Sequence, residues 1–480
     1  MHPSQPGLRR GAATSRCQPK GASCGYGEVW AIRAALLTSG SVGYHGAAWS
    51  RSRRGSFFLR FPRLWVGGGA AIVVALALVL AVTAATGRFP FSHHQASRAA
   101  AAARSAASRA SGQAAPGSHS ATVGSGGAAA QAAGAGPAAV IAKLSARQLA
   151  GQRVIYSYSG LTPPASLLYL IRRGEAAGVI FFSGNVSSLA QIAVVTSALE
   201  RANASTLNPV RLPLLLMTDQ EGGTVRRLPG APYLSEKEIG QSASPAAQAS
   251  IAGGGAAANL RGAGLNVNLA PVLDVYRTAG NFIDQYGRSY SSSAPSVNAL
   301  GADFIMAQQG GGVAATAKHF PGLGAAATSQ DTDVEPVTLN LPASEIRSID
   351  EEPYKAAISA GVKLVMASWA VYPSLDRSRP AGLSSVIVQG ELRKRLGFRG
   401  VTITDALEAG ALHAFGTIGN RSQLAAQAGM DLLLCAGQTA SEGEQALDAL
   451  EGGYRDGHLS QSAFRASVTR ILDLRAALPR

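Results

Sequence analysis

Val313-Ala314-Ala315-Thr316-Ala317-Lys318-His319-Phe320-Pro321-Gly322-Leu323-Gly324 begins as an apolar run of strand length and ends in proline and glycine. That pattern reads as a buried strand emerging into a loop. A Lys-His pair at such an edge points two polar side chains into whatever cleft the loop borders. The ordinary alternative is a solvated lysine beside a histidine that caps a turn, and the surrounding chain has to decide between them.

Working outward, short apolar runs recur at 153–158, 178–182, 214–218, 267–269, 314–318, 364–367, 401–404 and 431–434. Ala-rich or amphipathic stretches lie between them, among them 188–204, 246–263, 296–309, 344–360, 385–396 and 421–428. Eight strands alternating with helices over roughly 340 residues predict an α/β fold, a single (β/α)8 TIM-type barrel. A doubly wound open sheet is the structural alternative. Its phosphate-loop signal is poor, because Gly253-Gly254-Gly255 follows a helix rather than a strand.

A barrel of this kind collects its chemistry at the C-terminal ends of its strands, and four of those ends carry charge. Leu214-Leu215-Leu216-Met217-Thr218 runs into Asp219-Gln220-Glu221-Gly222-Gly223, followed by Arg226 and Arg227. Asn268-Leu269-Ala270-Pro271 leads to Asp274, and the loop beyond holds Arg288. Ala317 leads to Lys318-His319, and Val401-Thr402-Ile403-Thr404 to Asp405. Any one of these could be a cap, a turn or an ion pair. Four together point to one polar cleft.

Composition divides the 480 residues unevenly. Residues 1–138 hold 14 Lys and Arg against a single acid, Glu28, a net charge of +13, while the rest has 29 basic and 27 acidic residues, a net charge of +2. The nearly neutral C-terminal part gives no support to a nucleic-acid partner. Residues 1–63 read as a basic, disordered cytoplasmic segment. Residues 64–86 form a run of 23 without a charge, long enough to cross a bilayer as a helix. Arg51, Arg53, Arg54, Arg60 and Arg63 precede it, which favours a cytoplasmic N-terminus. A cleaved signal peptide is the rival reading, although the run lies far from Met1. Residues 87–138, rich in Ala, Ser and Gly, read as a low-complexity tether. The expected arrangement is a single-pass anchor in the cell membrane with the domain 139–480 outside. Cys17, Cys24 and Cys435 imply no disulfide framework, and no metal-ligand spacing is present.

Five motifs occur in a set order over about residues 140–480. They are Asp219-Gln220-Glu221-Gly222-Gly223 with Arg227, the run from Asn268 to Asp274, Arg288-Ser289-Tyr290, Lys318-His319-Phe320-Pro321-Gly322, and the run from Leu396 to Asp405. In this they resemble family 3 glycoside hydrolases, and most of all the single-barrel bacterial β-N-acetylglucosaminidases. The resemblance implies a retaining exo-glycosidase that removes terminal β-linked N-acetylglucosamine, a β-N-acetylhexosaminidase acting on cell-wall-type glycans. It makes Asp405 the nucleophile, a carboxylate under the anomeric carbon that forms a covalent glycosyl-enzyme and releases it to water. The bland reading of Asp405 is a cap for the residues that follow. Asp219, Arg227, Arg288, Lys318 and His319 match residues that grip the sugar hydroxyls, where charged donors and acceptors give strong directional bonds. Arg226 reads as a solvated neighbour and Glu221 as a structural acid. Two carboxyl groups and water require no metal or cofactor.

One loop departs from the family pattern. Relatives of this type read K-H-F-P-G-H-G and then Asp-Ser-His, whose histidine protonates the leaving group. Here Leu323 takes the sixth place, and the loop from Ala325 to Pro336 contains no histidine. The domain has only His319, His413 and His458. Asp333 is the candidate acid/base, with Asp331 as its rival and Glu335 and His413 behind them. A carboxyl can serve if burial or the nearby Asp405 charge raises its pKa. The alternatives are a weakened or inactive glycan-binding pseudoenzyme and a β-glucosidase of the same superfamily. A loop folded over the pocket near Asp405 favours the enzyme, and a loop splayed into solvent favours the binder.

Overall fold

The computed structural model describes residues 137–479. Twelve strands follow one another in these residues: β1 (Val154–Tyr156), β2 (Gly178–Phe181), β3 (Leu215–Thr218), β4 (Gln220–Gly222), β5 (Val225–Arg226), β6 (Val267–Asn268), β7 (Ala314–Phe320), β8 (Leu364–Ala367), β9 (Val371–Tyr372), β10 (Asp376–Pro380), β11 (Val401–Ala406) and β12 (Leu432–Leu434). Eight of them close into a barrel in the order β1-β12-β11-β8-β7-β6-β3-β2. The pairing of β1 with β12, parallel like the rest, is what excludes an open sheet. Parallel neighbours need crossovers, and helices such as Leu189–Asn203, Pro245–Gly262 and Ala294–Gly310 supply them. The four remaining strands form two hairpins, β4-β5 and β9-β10, on loops outside the barrel.

Alternation along the strands makes two apolar layers, since successive side chains point to opposite faces. Ile180, Leu215, Met217, Val401 and Ile403 pack together with Val267, Leu364 and Leu432 in one cluster. Val179, Phe181, Leu214, Leu216 and Leu433 join a second cluster with the helical residues Ile192, Leu199 and Leu447. Each fully buried Leu or Ile side chain contributes about 1.5–3 kcal/mol relative to exposure. The glycine triplet has its use here: a Cβ on Gly253 would strike the backbone of Phe304 in the helix Ala294–Gly310, so glycine lets the two helices approach.

Several boundaries differ from expectation. β7 runs on through Phe320, so Lys318 and His319 lie within the strand. Asp405 likewise sits inside β11 rather than on the loop after it, and no helix starts at Ala406; the next helical turn is Gly410–Phe415. The expected helix over 344–360 is broken, with π-type turns at Ile346–Asp350 ahead of the helix Glu352–Ser359. A helix at Pro137–Ile141 begins inside the stretch read as tether. The segment 1–63, the apolar run 64–86 and the tether up to residue 136 lie outside the described residues. Among the described residues no helix is long and apolar enough to cross a membrane.

Candidate active site

The charged strand ends converge. Lys318 on β7 donates to Asp219 Oδ1 at 2.7 Å and to Glu221 Oε1 at 2.8 Å. Arg288 donates to both oxygens of Glu221 at 2.9 Å, a bidentate pair. Asp219 and Glu221 are two residues apart in extended chain, so they face the same way. Burial alone would raise both carboxyls, but the cations outweigh it and hold Asp219 and Glu221 below the ordinary range. The reverse holds for Lys318 and Arg288: burial would lower them, and the two acids lift them. All four are charged, and each cation keeps N–H donors to spare.

His319 stands beside this network. Its Nδ1 lies 2.8 Å from Asp274 Oδ2, and Asp274 Oδ1 accepts the backbone N–H groups of Leu323 at 2.7 Å and His319 at 3.3 Å. A carboxylate there needs the proton on Nδ1, which leaves Nε2 as the free nitrogen, 3.5 Å from Arg288. Arg227 is held more loosely, its Nε 3.9 Å from Asp219 Oδ2, and that buried Nε has no hydrogen-bond partner in the protein. Buried polar atoms are rarely left that way.

Asp405 sits at the end of β11, where the register with β12 shifts. Its Oδ1 accepts the N–H of Ala406 at 2.9 Å, the indole N–H of buried Trp369 donates to the carbonyl of Ala406 at 2.8 Å, and Leu407 N–H donates to Leu434. The loop that lacks the histidine is folded against the residues that follow Asp405. The carbonyl of Asp333 accepts the N–H of Gly410 at 2.8 Å, and that of Thr332 accepts the N–H of Ala411 at 3.1 Å. Gly410 permits the approach: a Cβ there would collide with the carbonyl of Val334. Asp331 Oδ1 in turn accepts the N–H of Asp333 at 2.9 Å.

Asp333 is exposed in the folded chain, while neighbouring protein still crowds its carboxyl. That crowding raises its pKa to about 7, helped by the charges of Asp405 and Asp331 and opposed by Arg288 and His319.

Arg226 donates to the carbonyls of Gly230 and Pro232 and stacks on Tyr233, so it is fastened to its own loop. Two members of the constellation, Glu221 and Asp274, were named at charged strand ends by sequence reasoning, Glu221 as a structural acid, but neither was given a place in the site. The spacing of Glu221 from Asp219 could have revealed the first. Asp274 depends on the bridge of Val272 to Lys318, which the sequence does not announce.

Comparison with known proteins bears on this arrangement. Residues 154–474 match the model described as glycosyl hydrolase family 3 N terminal domain. An uncharacterized secreted glycosyl hydrolase of Arthroderma benhamiae is 48% identical over 330 residues, 68% of this chain and 93% of that protein. A beta-hexosaminidase of Xanthomonas oryzae is 31% identical, over 58% of this chain and 81% of its own. Among solved structures, a family 3 β-N-acetylglucosaminidase from Paenibacillus has 33% identity and a TM-score of 0.65; the match covers 70% of this chain and 62% of that one. A β-N-acetylhexosaminidase from Beutenbergia cavernae has 27% identity and a TM-score of 0.64 over 70% of this chain and 99% of its own. The chain belongs to glycoside hydrolase family 3, on its single-barrel β-hexosaminidase side.

Proposed function

We propose that this glycoside hydrolase is a retaining exo-β-N-acetylglucosaminidase in which Asp405 is the nucleophile and Asp333 the acid/base. The observation that supports it is the loop: its backbone is bonded to the segment following Asp405, and its Asp333 carboxyl, raised to about 7, feels the Asp405 charge. A group poised near 7 is half protonated at neutral pH, able to give a proton to the leaving oxygen and to take one back from water. Asp331 ranks behind it, because its Oδ1 is engaged with the Asp333 amide.

In the first step the Asp405 carboxylate attacks the anomeric carbon, the glycosidic bond breaks, and the Asp333 proton goes to the departing oxygen. In the second, water attacks the glycosyl-enzyme, Asp333 accepts its proton, and Asp405 leaves as a carboxylate. Asp219, Arg227, Arg288, Lys318 and His319 would hold the sugar hydroxyls. Glu221 orients two of these by pairing with Lys318 and Arg288, and Asp274 fixes the tautomer of His319. The choice of an N-acetylated sugar rests on the names of the relatives, and a cell-wall-type glycan is the substrate class we assign. The uncharged run 64–86 with its preceding arginines is the basis for placing the domain outside the cell membrane on a single-pass tether.

The test is hydrolysis by the purified protein of an aryl β-N-acetylglucosaminide beside the aryl β-glucoside. The first should turn over in preference, and Asp405→Ala should abolish it while leaving the thermal midpoint unchanged. Preference for the glucoside would replace the substrate, and near-normal turnover in Asp405→Ala would remove the nucleophile.

A further inference from the structure

Beyond Asp405 the chain makes a second, unexplained contact with the barrel rim. Glu408 Oε2 accepts the N–H of Ala436, and Glu442 Oε2 accepts the N–H of the next residue, Gly437, at 2.6 Å. Two carboxyl groups from different elements thus meet over two consecutive amides just after β12. A carboxylate is acceptor-only, so two placed side by side have no hydrogen bond to offer each other unless one keeps its proton. The other Glu442 oxygen, Oε1, is buried and finds no N–H donor.

We infer that Glu408 and Glu442 share one proton, and that this pair is the latch holding the segment 405–411, with both proposed catalytic carboxyls tied to it, against the barrel rim. Asp405 begins the segment. Gly410 and Ala411 end it and grip the carbonyls of Asp333 and Thr332. Glu408 lies between these two attachments and shares the load with the Leu407 N–H on Leu434 and with Trp369 and Arg421 on the Ala406 and Leu407 carbonyls, so loosening it weakens both. It is a positioning residue that touches no substrate. The functional consequence rests on the roles assigned above to Asp405 and Asp333, whereas the latch itself does not.

The surroundings favour a shared proton. From the helix Ile418–Ala428, Arg421 directs Nη1 to the carbonyl of Leu407 at 2.8 Å and Nε to that of Gly416 at 2.9 Å, so it braces backbone rather than pairing with either acid. From the end of β12, the Cys435 thiol is buried and pushed up, first by burial and then by Glu442 and Glu408. From the helix Ala440–Arg455 comes Glu442, itself raised by burial. Burial, then the Glu442 charge, carries Glu408 from an ordinary 4.5 to about 8. The sign follows. A carboxyl whose pKa is higher in the closed state stabilises closure below its ordinary value and loses that contribution as pH rises to the closed-state value. The open population therefore grows about tenfold per pH unit up to about pH 8 and then levels off.

Amide hydrogen exchange on the full chain reads this without any substrate. The amides of Leu407, Ala409, Gly410 and Ala411 are hydrogen-bonded and exchange on opening. From about pH 6 to 8 their rates should climb about a hundredfold per unit, tenfold from base catalysis and tenfold from the lost proton, and about tenfold per unit above that. In Glu408→Gln, whose amide can donate to Glu442 at every pH, the climb should be about tenfold per unit throughout. Glu442→Gln is the second variant: it removes the Glu442 charge but not the burial that first raises Glu408, so its climb should fall between the tenfold and the hundredfold slopes. A wild-type slope of tenfold across the whole range, or a hundredfold slope kept in both variants, would overturn the latch. Because no sugar is involved, this result stands or falls apart from the assignment of the enzyme.

Discussion

Both ends of the barrel bury charge, and they use it differently. At the N-terminal end Asp431, just ahead of β12, accepts from Arg393 at 2.6 Å, from Arg470 at 2.7 Å and from the N–H of Thr402 at 3.0 Å. Arg153 points its guanidinium at the carbonyls of Met430 and Asp431, and Arg475 at those of Leu212 and Pro213. A cavity of about 600 Å³ opens at this end, lined by Glu200, Arg211, Arg261 and Pro479 among others. Its charged side chains are also tied to backbone: Arg211 to Ala204, Arg261 to Gly311, Glu200 to the N–H of Leu214. At the C-terminal end the cations keep donors free, Arg227 Nε lacks a partner, and Asp333 is pushed to about 7. Buried charge by itself therefore does not mark the site. Arg393 Nε at the N-terminal end lacks a partner too, so an orphaned atom marks the site only where it stands among cations with donors free and an acid moved towards neutrality.

Substitutions at the two ends can break or sharpen that contrast. The largest expected effect is at the cleft. Asp333→Asn should slow substrates with poor leaving groups by about 10²–10⁴-fold, while activated aryl glycosides suffer far less. The wild-type rate on poor leaving groups should fall as pH rises past about 7, where Asp333 gives up its proton, and the variant should lack that limb. Equal losses on both kinds of substrate would argue that Asp333 is structural and that the two ends are more alike than claimed.

Next comes the opposite end. Asp431→Ala strands Arg393 and Arg470 and should cost about 3–5 kcal/mol in denaturant unfolding, with kcat per folded molecule unchanged. A kcat loss at constant stability would mean that the bottom of the barrel reports to the cleft. The smallest effect is predicted for Arg211→Ala. Arg211 is exposed and makes one bond to a carbonyl, so stability should move by no more than about 0.5 kcal/mol. A larger shift, or a loss of activity, would give the lower cavity a role that its satisfied groups do not suggest.

Much of this was legible in the chain. The alternation of apolar runs with helical stretches fixed eight barrel strands, and the 314–318 run with its Lys-His edge fell where β7 runs. Strand ends were read short, because the polar His319 and Asp405 interrupt the apolar runs one residue before β7 and β11 end. The hairpins β4-β5 and β9-β10 escaped notice, since their polar residues carry no period-two signal. Glu221 was set aside as structural although it ties together Lys318 and Arg288; a buried acid and a solvated one look the same in sequence.

Residue order alone was enough for the barrel, the end at which charge gathers, and a loop 325–336 without histidine. These follow from residue type and short-range periodicity, which are local properties. Only the tertiary structure decided that Asp274 stands under His319 across 45 positions of sequence, that Gly410 lets the Asp333 loop lie against the Asp405 segment, and that Glu408 meets Glu442. Such contacts depend on which loops the closed barrel brings side by side. The protonation of a carboxyl then depends on the burial and charges it finds there, and no local pattern encodes either.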